Sequence, residues 1–173
     1  MSDAARIGGL VFAAVIVQVS VLASVPIGGG TSDVLLVVLV AAALQRGSIA
    51  GAVAGFVAGL LVDVATLGTM GVTSLLLTVA GYWAGRYGET TGRERPHALP
   101  LAVGVITVLL AFAGLGLHYM LGDEVNPHRA LVTTLLPALP LNLLLAWPVG
   151  RLCRRLLPQG VPLERVREVE LVV

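Results

Sequence analysis

The chain has 173 residues, of which 57% are hydrophobic, 12% charged and 5% aromatic, and its formal net charge is +1. A soluble domain has about a quarter of its residues charged, and a disordered chain lacks so much apolar surface, so both classes are excluded. A polytopic membrane protein remains, and the near-neutral charge offers no basic face for nucleic acid. The single cysteine, Cys153, excludes an internal disulfide.

Apolar runs separated by glycine, proline or charged residues predict six helices. The second and fourth runs are short for a spanning helix, which needs about 20 residues. Only a small polar break separates the second and third runs, so we expect a tight hairpin with its turn at residues 45–48. We expect one transmembrane domain over residues 1–157 and a short cytoplasmic tail over 158–173. The predicted helices cover about residues 7–25, 34–44, 48–65, 72–84, 99–121 and 130–152.

Arginine positions predict how these helices are oriented, because short cytoplasmic loops collect positive charge. With the N-terminus inside and six spans, Arg129 is the one arginine placed outside. Five or seven spans would move the arginines at 151, 154 and 155 to the outer side. We therefore expect a multi-pass membrane protein with both termini in the cytoplasm. The arginines predicted to be inside are Arg6, Arg46, Arg86, Arg93, Arg95, Arg151, Arg154, Arg155, Arg165 and Arg167.

Glycine recurs every four residues along the third predicted helix, in the most specific pattern of the chain. Residues four apart form a continuous row on a helix, so glycines there let another backbone approach closely. Such small-residue rows mark packing faces in lipid. We expect this row to pack against helix one, two or four, or against a different membrane protein. The row consists of Gly47, Gly51, Gly55 and Gly59, and Gly81 and Gly85 repeat the spacing once in the fourth helix.

Asp63 continues the glycine row by one more step, near the C-terminal end of the third helix. A carboxylate at membrane depth costs several kcal/mol unless it is paired, hydrated or protonated, and the negative end of the helix dipole adds to this cost. Two interpretations stay open. Asp63 either caps the start of the fourth helix or bonds a nearby threonine, or it contacts an ion, a substrate or a partner near the outer interface.

Three further polar residues have structural interpretations. Asp33 precedes the second helix and is expected to cap its N-terminus. His118, near the outer end of the fifth helix, is expected to be a hydrogen-bonded interior residue. Asn142 lies among three prolines of the sixth helix, which predict a kink whose freed carbonyl groups need partners such as the Asn142 amide. The prolines are Pro137, Pro140 and Pro148.

Motifs that carry catalysis are missing from the sequence. There is no GxxxxGK[ST] phosphate loop, no HExxH zinc motif, no cysteine pair and no GxSxG elbow. No intramembrane set of acid, base and nucleophile occurs either. We therefore expect a protein that is not an enzyme and has no catalytic residue, no cofactor and no metal ligand.

Residues 31–86 resemble the rod shape-determining membrane protein family MreD. The family pattern is an aspartate that opens a leucine-rich helix, a basic turn, a glycine row that ends in an aspartate, a Leu-Gly turn and a Gly-Tyr-x-x-Gly helix end. The resemblance covers about a third of the chain closely. These elements fall on Asp33, on Arg46, on the glycine row with Asp63, on Leu67 and Gly68, and on Gly81, Tyr82 and Gly85.

The resemblance implies a six-helix bundle similar in fold to the substrate-binding subunits of energy-coupling-factor transporters. It also implies a scaffold of the bacterial cytoplasmic membrane, without catalysis, that helps to maintain rod shape and to position lateral peptidoglycan synthesis. The implied partner is the bitopic protein MreC, docked on the glycine-rich face or the outer loops. Through MreC the scaffold would reach the MreB filament, the RodA glycosyltransferase and a class B penicillin-binding protein.

The main alternative is a substrate-binding subunit of a vitamin or small-molecule transporter. It requires a polar pocket, for which Asp33, Asp63, His118 and Asn142 are the plausible lining residues. Four such groups are few for tight binding of a polar molecule.

Overall fold

The computed structural model describes residues 3–22, 33–67, 69–91, 97–122 and 135–156. These residues form six α-helices and no strand, so the predicted six-helix count is confirmed for this part of the chain. A π-helical turn, Gln18–Leu22, extends the first helix. The helices are α1 (Asp3–Val17), α2 (Val34–Arg46), α3 (Ser48–Thr66), α4 (Val72–Thr91), α5 (Ala98–Met120) and α6 (Leu136–Leu156).

Three of the helices are long and apolar enough to cross a membrane. They are the stretches Ser48–Thr66, Ala98–Met120 and Leu136–Arg155. Two shorter apolar stretches, Gly8–Ser20 and Val34–Arg46, lie in α1 and α2. Helices of this length and apolar composition are typical of a membrane protein. An α-helix satisfies its backbone hydrogen bonds internally and can therefore lie in hydrocarbon.

The central element of the bundle is α2, which contacts each of the other five helices. Every residue from Leu35 to Leu44 is buried. A helix that is covered on all sides has to be apolar on all sides, and this explains why its sequence shows no polar face. Its 13 residues measure about 20 Å. Protein surrounds residues 35–44 on every side. A helix that is short for spanning a membrane can therefore form the core of this bundle.

A single residue, Gly47, connects α2 to α3. Its φ of 96° lies in the left-handed region, which glycine adopts without the cost that a Cβ would bring. The Gly47 N–H donates to the Ala43 carbonyl at 2.8 Å and closes the last turn of α2. The expected hairpin turn at 45–48 is thus reduced to one residue, because α2 runs on to Arg46.

Several observed helix ends differ from the predicted ones, and the largest difference is at the end of α4. α4 continues to Thr91, beyond the predicted end at residue 84. Charged residues such as Arg86 and Glu89 end an apolar run, but they do not end a helix whose last turns can be hydrated. α1 begins earlier than predicted, at Asp3. α6 is observed from Leu136, and its predicted start at 130, the predicted residues 23–25 of the first helix and the tail 158–173 lie outside the described residues.

The C-terminal ends of α2, α4 and α6 lie together at one end of the bundle. Gly85 of α4 packs against Gly47, and Gly150 of α6 packs against Leu99 in the first turn of α5. We call this the basic end, because the described arginines there are Arg46, Arg86, Arg151, Arg154 and Arg155. The opposite end, which we call the acidic end, carries Asp33 and Asp63.

Candidate functional site in the α3 and α4 hairpin

The glycine row of α3 faces α4. A Cβ built on Gly55 would meet the Leu77 carbonyl group, at 2.6 Å from its carbon, and one built on Gly59 would lie 2.6 Å from the Ser74 nitrogen. Real Cβ atoms do not approach backbone so closely, so only glycine permits this separation of the two helices. The row that the sequence singles out is therefore occupied by another helix of the same chain.

The contact is reciprocal, because α4 brings glycines of its own. A Cβ on Gly51 would meet the Gly81 carbonyl, and a Cβ on Gly81 would meet the Gly51 carbonyl. One turn further on, Gly85 lies against the backbone of Gly47. The two helices run antiparallel with a constant register, in which each step of four residues along α3 is matched by about four residues backwards along α4.

Asp63 ends this contact by binding the beginning of α4. Its carboxylate accepts hydrogen bonds from the backbone N–H groups of Gly71 at 2.8 Å, Thr73 at 3.2 Å and Ser74 at 3.3 Å. Only 2% of the residue is exposed. The first N–H groups of a helix have no partner within the helix, and the positive end of its dipole attracts the carboxylate. Asp63 therefore binds the first N–H groups of α4 as an N-cap residue does, although it belongs to α3.

A second polar contact closes the opposite end of the same pair of helices. Glu89 accepts a hydrogen bond from the Ser48 backbone N–H at 2.8 Å and another from the Ser48 hydroxyl at 3.1 Å. Arg86 forms an ion pair with Glu89 at 3.5 Å. These residues lie past the apolar part of α4. The Ser48 backbone N–H is the main cause that holds the pKa of the Glu89 carboxyl below its usual range, and the Ser48 hydroxyl and Arg86 act in the same direction.

A buried amide connects α6 to α2 and α5. The Asn142 side-chain oxygen accepts a hydrogen bond from the Asp33 N–H at 2.9 Å, and its nitrogen donates to the Thr107 hydroxyl at 3.3 Å. The Asp33 carboxylate accepts from the Leu36 N–H at 3.0 Å at the start of α2. The sequence suggested that Asn142 would satisfy carbonyl groups freed by the prolines of α6, whereas the observed partners belong to two other helices.

These hydrogen bonds connect one helix to another. His118 is half-buried in the last turns of α5. Within the described segments, no group of three histidine, cysteine or acidic side chains could hold a metal ion. The contacts described above pack the two helices of the hairpin closely and close it with polar groups at both ends.

Sequence reasoning identified the glycines and Asp63 and missed the last turns of α4. Gly88 lies against the Leu44 backbone of α2, three residues after Gly85. The spacing of Gly81, Gly85 and Gly88 keeps small residues on one face, and this was the available signal that the helix continues. The pairing of Ser48 with Glu89 spans 41 residues, and no local pattern indicates it.

Comparison with known proteins identifies the family. A family model described as rod shape-determining protein MreD matches residues 7–157. No curated protein and no solved structure matches the chain. The family match spans all six helices, whereas the motifs recognised in the sequence cover the region from the start of α2 to α4. The chain belongs to the MreD family of rod shape-determining proteins, membrane proteins of the cell-shape machinery that also includes MreC.

Proposed function

We propose that this protein is a non-enzymatic scaffold of the cell-wall elongation machinery, which binds MreC and helps to position lateral peptidoglycan synthesis. The observation that carries the proposal is the family match over residues 7–157. MreC would connect the scaffold to the MreB filament, to RodA and to a class B penicillin-binding protein.

The hydrogen bonds of the bundle support a scaffold in preference to a transporter subunit. A substrate pocket needs polar groups that point into a cavity. Here the Asp63 carboxylate is engaged by three backbone N–H groups and the Asn142 amide by Asp33 and Thr107. We propose that the helices are arranged as in the substrate-binding subunits of energy-coupling-factor transporters, and we do not propose that the protein binds a substrate as they do.

The α4 helix limits where MreC can dock. The family resemblance implies either the glycine-rich face or the outer loops as the docking surface. Because α4 covers the glycine row, a helix of MreC would have to displace α4 to reach it. We therefore propose that the outer loops make the contact.

The direct test is co-purification. The tagged full chain is co-expressed with the MreC of the same bacterium, and MreC is expected to be retained on the affinity resin in mild detergent. Loss of MreC with a folded protein would argue against the scaffold. Association with an energy-coupling ATPase pair would instead support the transporter alternative.

The proposed orientation places the basic end of the bundle and both termini in the cytoplasm. It is supported by the collection of arginines at that end, which follows the positive-inside tendency. Alkaline phosphatase fused after residue 156 should be inactive, and the same enzyme fused after residue 122 should be active. The reverse pattern would contradict the orientation without affecting the proposal that the protein is a scaffold.

A further inference from the structure

The exposed face of α6 changes from apolar to basic as the helix approaches the basic end. Leu144 and Trp147 are 73% and 65% exposed, and the exposed residues of the next two turns include Arg151, Arg154 and Arg155. Helical spacing puts all five on one side of α6. The opposite side carries the buried residues Asn142, Ala146 and Cys153. A single stripe on α6 thus runs from hydrocarbon to the membrane surface.

Two of these arginines make contacts within α6. The Arg151 guanidinium stacks on the Trp147 ring, with its central carbon 3.6 Å from the ring centroid, which is a cation–π arrangement. The Arg154 Nε donates to the Gly150 carbonyl at 3.3 Å. These three side chains are exposed, and within the described segments no carboxylate forms an ion pair with them.

An open apolar groove between α5 and α6 begins at the same end of the bundle. It has a volume of about 500 Å³, and its walls include Pro100, Leu101, Gly104, Leu139 and Leu143. Leu99, the neighbour of Pro100, lies against Gly150, whose carbonyl binds Arg154. The end of the groove at Pro100 is therefore connected to Arg154 through Leu99 and Gly150.

We propose that α5 and α6 form a binding site for one anionic phospholipid, with an acyl chain in the groove and the phosphodiester headgroup on Arg151, Arg154 and Arg155. The guanidinium fork matches a phosphate geometrically. Basic side chains on helices at the membrane surface attract anionic lipid. A lipid is the fitting occupant because the arginines continue a lipid-exposed stripe and because the adjoining groove is apolar.

The test is the preference for phosphatidylglycerol over phosphatidylcholine, measured by fluorescence quenching. The Trp83→Phe variant leaves Trp147 as the single tryptophan, and its emission reports on lipid beside the arginines. Nanodiscs contain the full chain and a mixture of both lipids, one of them with brominated acyl chains that quench tryptophan. We expect an apparent binding constant about fivefold higher for phosphatidylglycerol.

Two sets of variants separate the headgroup and acyl-chain parts of the site. The triple change of Arg151, Arg154 and Arg155 to glutamine should reduce the preference to about one, whereas Arg86→Gln, at the same end of the bundle, should leave it unchanged. Gly104→Leu fills the groove, because an added Cβ at Gly104 has Leu143 Cδ1 at 3.5 Å as its sole neighbour. It should reduce the preference at least twofold, and Gly116→Leu should not.

A measurement on the unaltered arginines covers the case in which the triple variant does not fold. Salt screens exposed charges, so the preference of the protein with all three arginines should fall several-fold between about 50 mM and 500 mM NaCl. A preference near one at low salt, or a triple variant that keeps the full preference, would overturn the proposal. Binding of an acidic soluble protein through the same arginines, without lipid preference, would overturn it in favour of a protein partner.

Discussion

Gly51 of α3 and Gly81 of α4 lie opposite one another, and a Cβ added to either residue would collide with the backbone carbonyl of the other. This relationship lets two helices of the membrane bundle pack backbone against backbone. In lipid, such close contact supplies dispersion energy that the hydrophobic effect does not supply between apolar helices. The α3 and α4 hairpin is therefore sensitive to small increases in side-chain volume at these glycines.

Replacing Gly55 with alanine should destabilise the protein. The new Cβ would lie 2.6 Å from the Leu77 carbonyl carbon, so the helices would have to separate, and overpacking of this kind costs about 1–3 kcal/mol. The measurement is the midpoint of thermal unfolding of the purified protein in detergent. Gly116→Ala is the control, because it adds the same methyl group in open space and removes a helical glycine. Equal midpoints for the two variants would show that the close approach is not important for stability.

Asp63→Leu should cost more stability than Asp63→Asn. Leucine removes the acceptor of three backbone N–H groups at the start of α4, whereas asparagine keeps one acceptor oxygen. Loss of a helix cap costs about 0.5–2 kcal/mol, and a buried donor left without a partner costs about 1–3 kcal/mol. Thermal unfolding and resistance of residues 67–72 to proteolysis measure the effect.

The control for Asp63 is Thr66→Val, one turn further along α3. The Thr66 hydroxyl donates to the Val62 carbonyl within its own helix, in an exposed position, so this variant should behave as the unaltered protein. If leucine and asparagine at position 63 prove equally stable, the carboxylate has no part in closing α4.

Asn142 and Thr107 should show coupled effects on stability. Asn142→Ala removes the hydrogen bonds to Asp33 and Thr107, and Thr107→Val removes one of the same bonds. The side chains are 1% and 7% exposed, so water does not replace the lost partner. A double-mutant cycle on unfolding free energy should give an interaction energy of about 0.5–3 kcal/mol. Strict additivity of the two changes would indicate that the bond contributes nothing.

Stability should fall on acidification partly through Glu89. The pKa of this carboxyl is lowered in the folded protein, first by the Ser48 backbone N–H. A group with a lowered folded pKa contributes stability that is present above its unfolded pKa and is lost as the pH falls through its folded pKa. Glu89→Gln should therefore flatten the acid side of the stability profile. An unchanged difference between the two proteins from neutral to acidic pH would contradict the assignment.

Local patterns in the sequence predicted much of this molecule. Composition and apolar runs predicted a helical membrane protein with six helices. The thickness and the apolar nature of the lipid bilayer determine how long and how apolar each spanning helix has to be. The period of four in the glycines predicted a smooth helical face, and the match of residues 31–86 to a family pattern predicted the family. Each of these signals lies within one helix or one hairpin.

The sequence by itself determined that the chain is a helical membrane protein with six helices. It also determined the glycine row of the third helix and the position of Asp63 at the end of that row. Only the tertiary structure decided that α4 occupies that row, that α2 lies at the centre, and that Asn142 joins α2, α5 and α6. Helical periodicity shows which residues share a face of a helix. It does not show whether an apolar face contacts lipid or another helix, because either contact is possible in a membrane protein. The choice depends on the shapes of all six helices together, since lipid and protein interior are almost equally apolar.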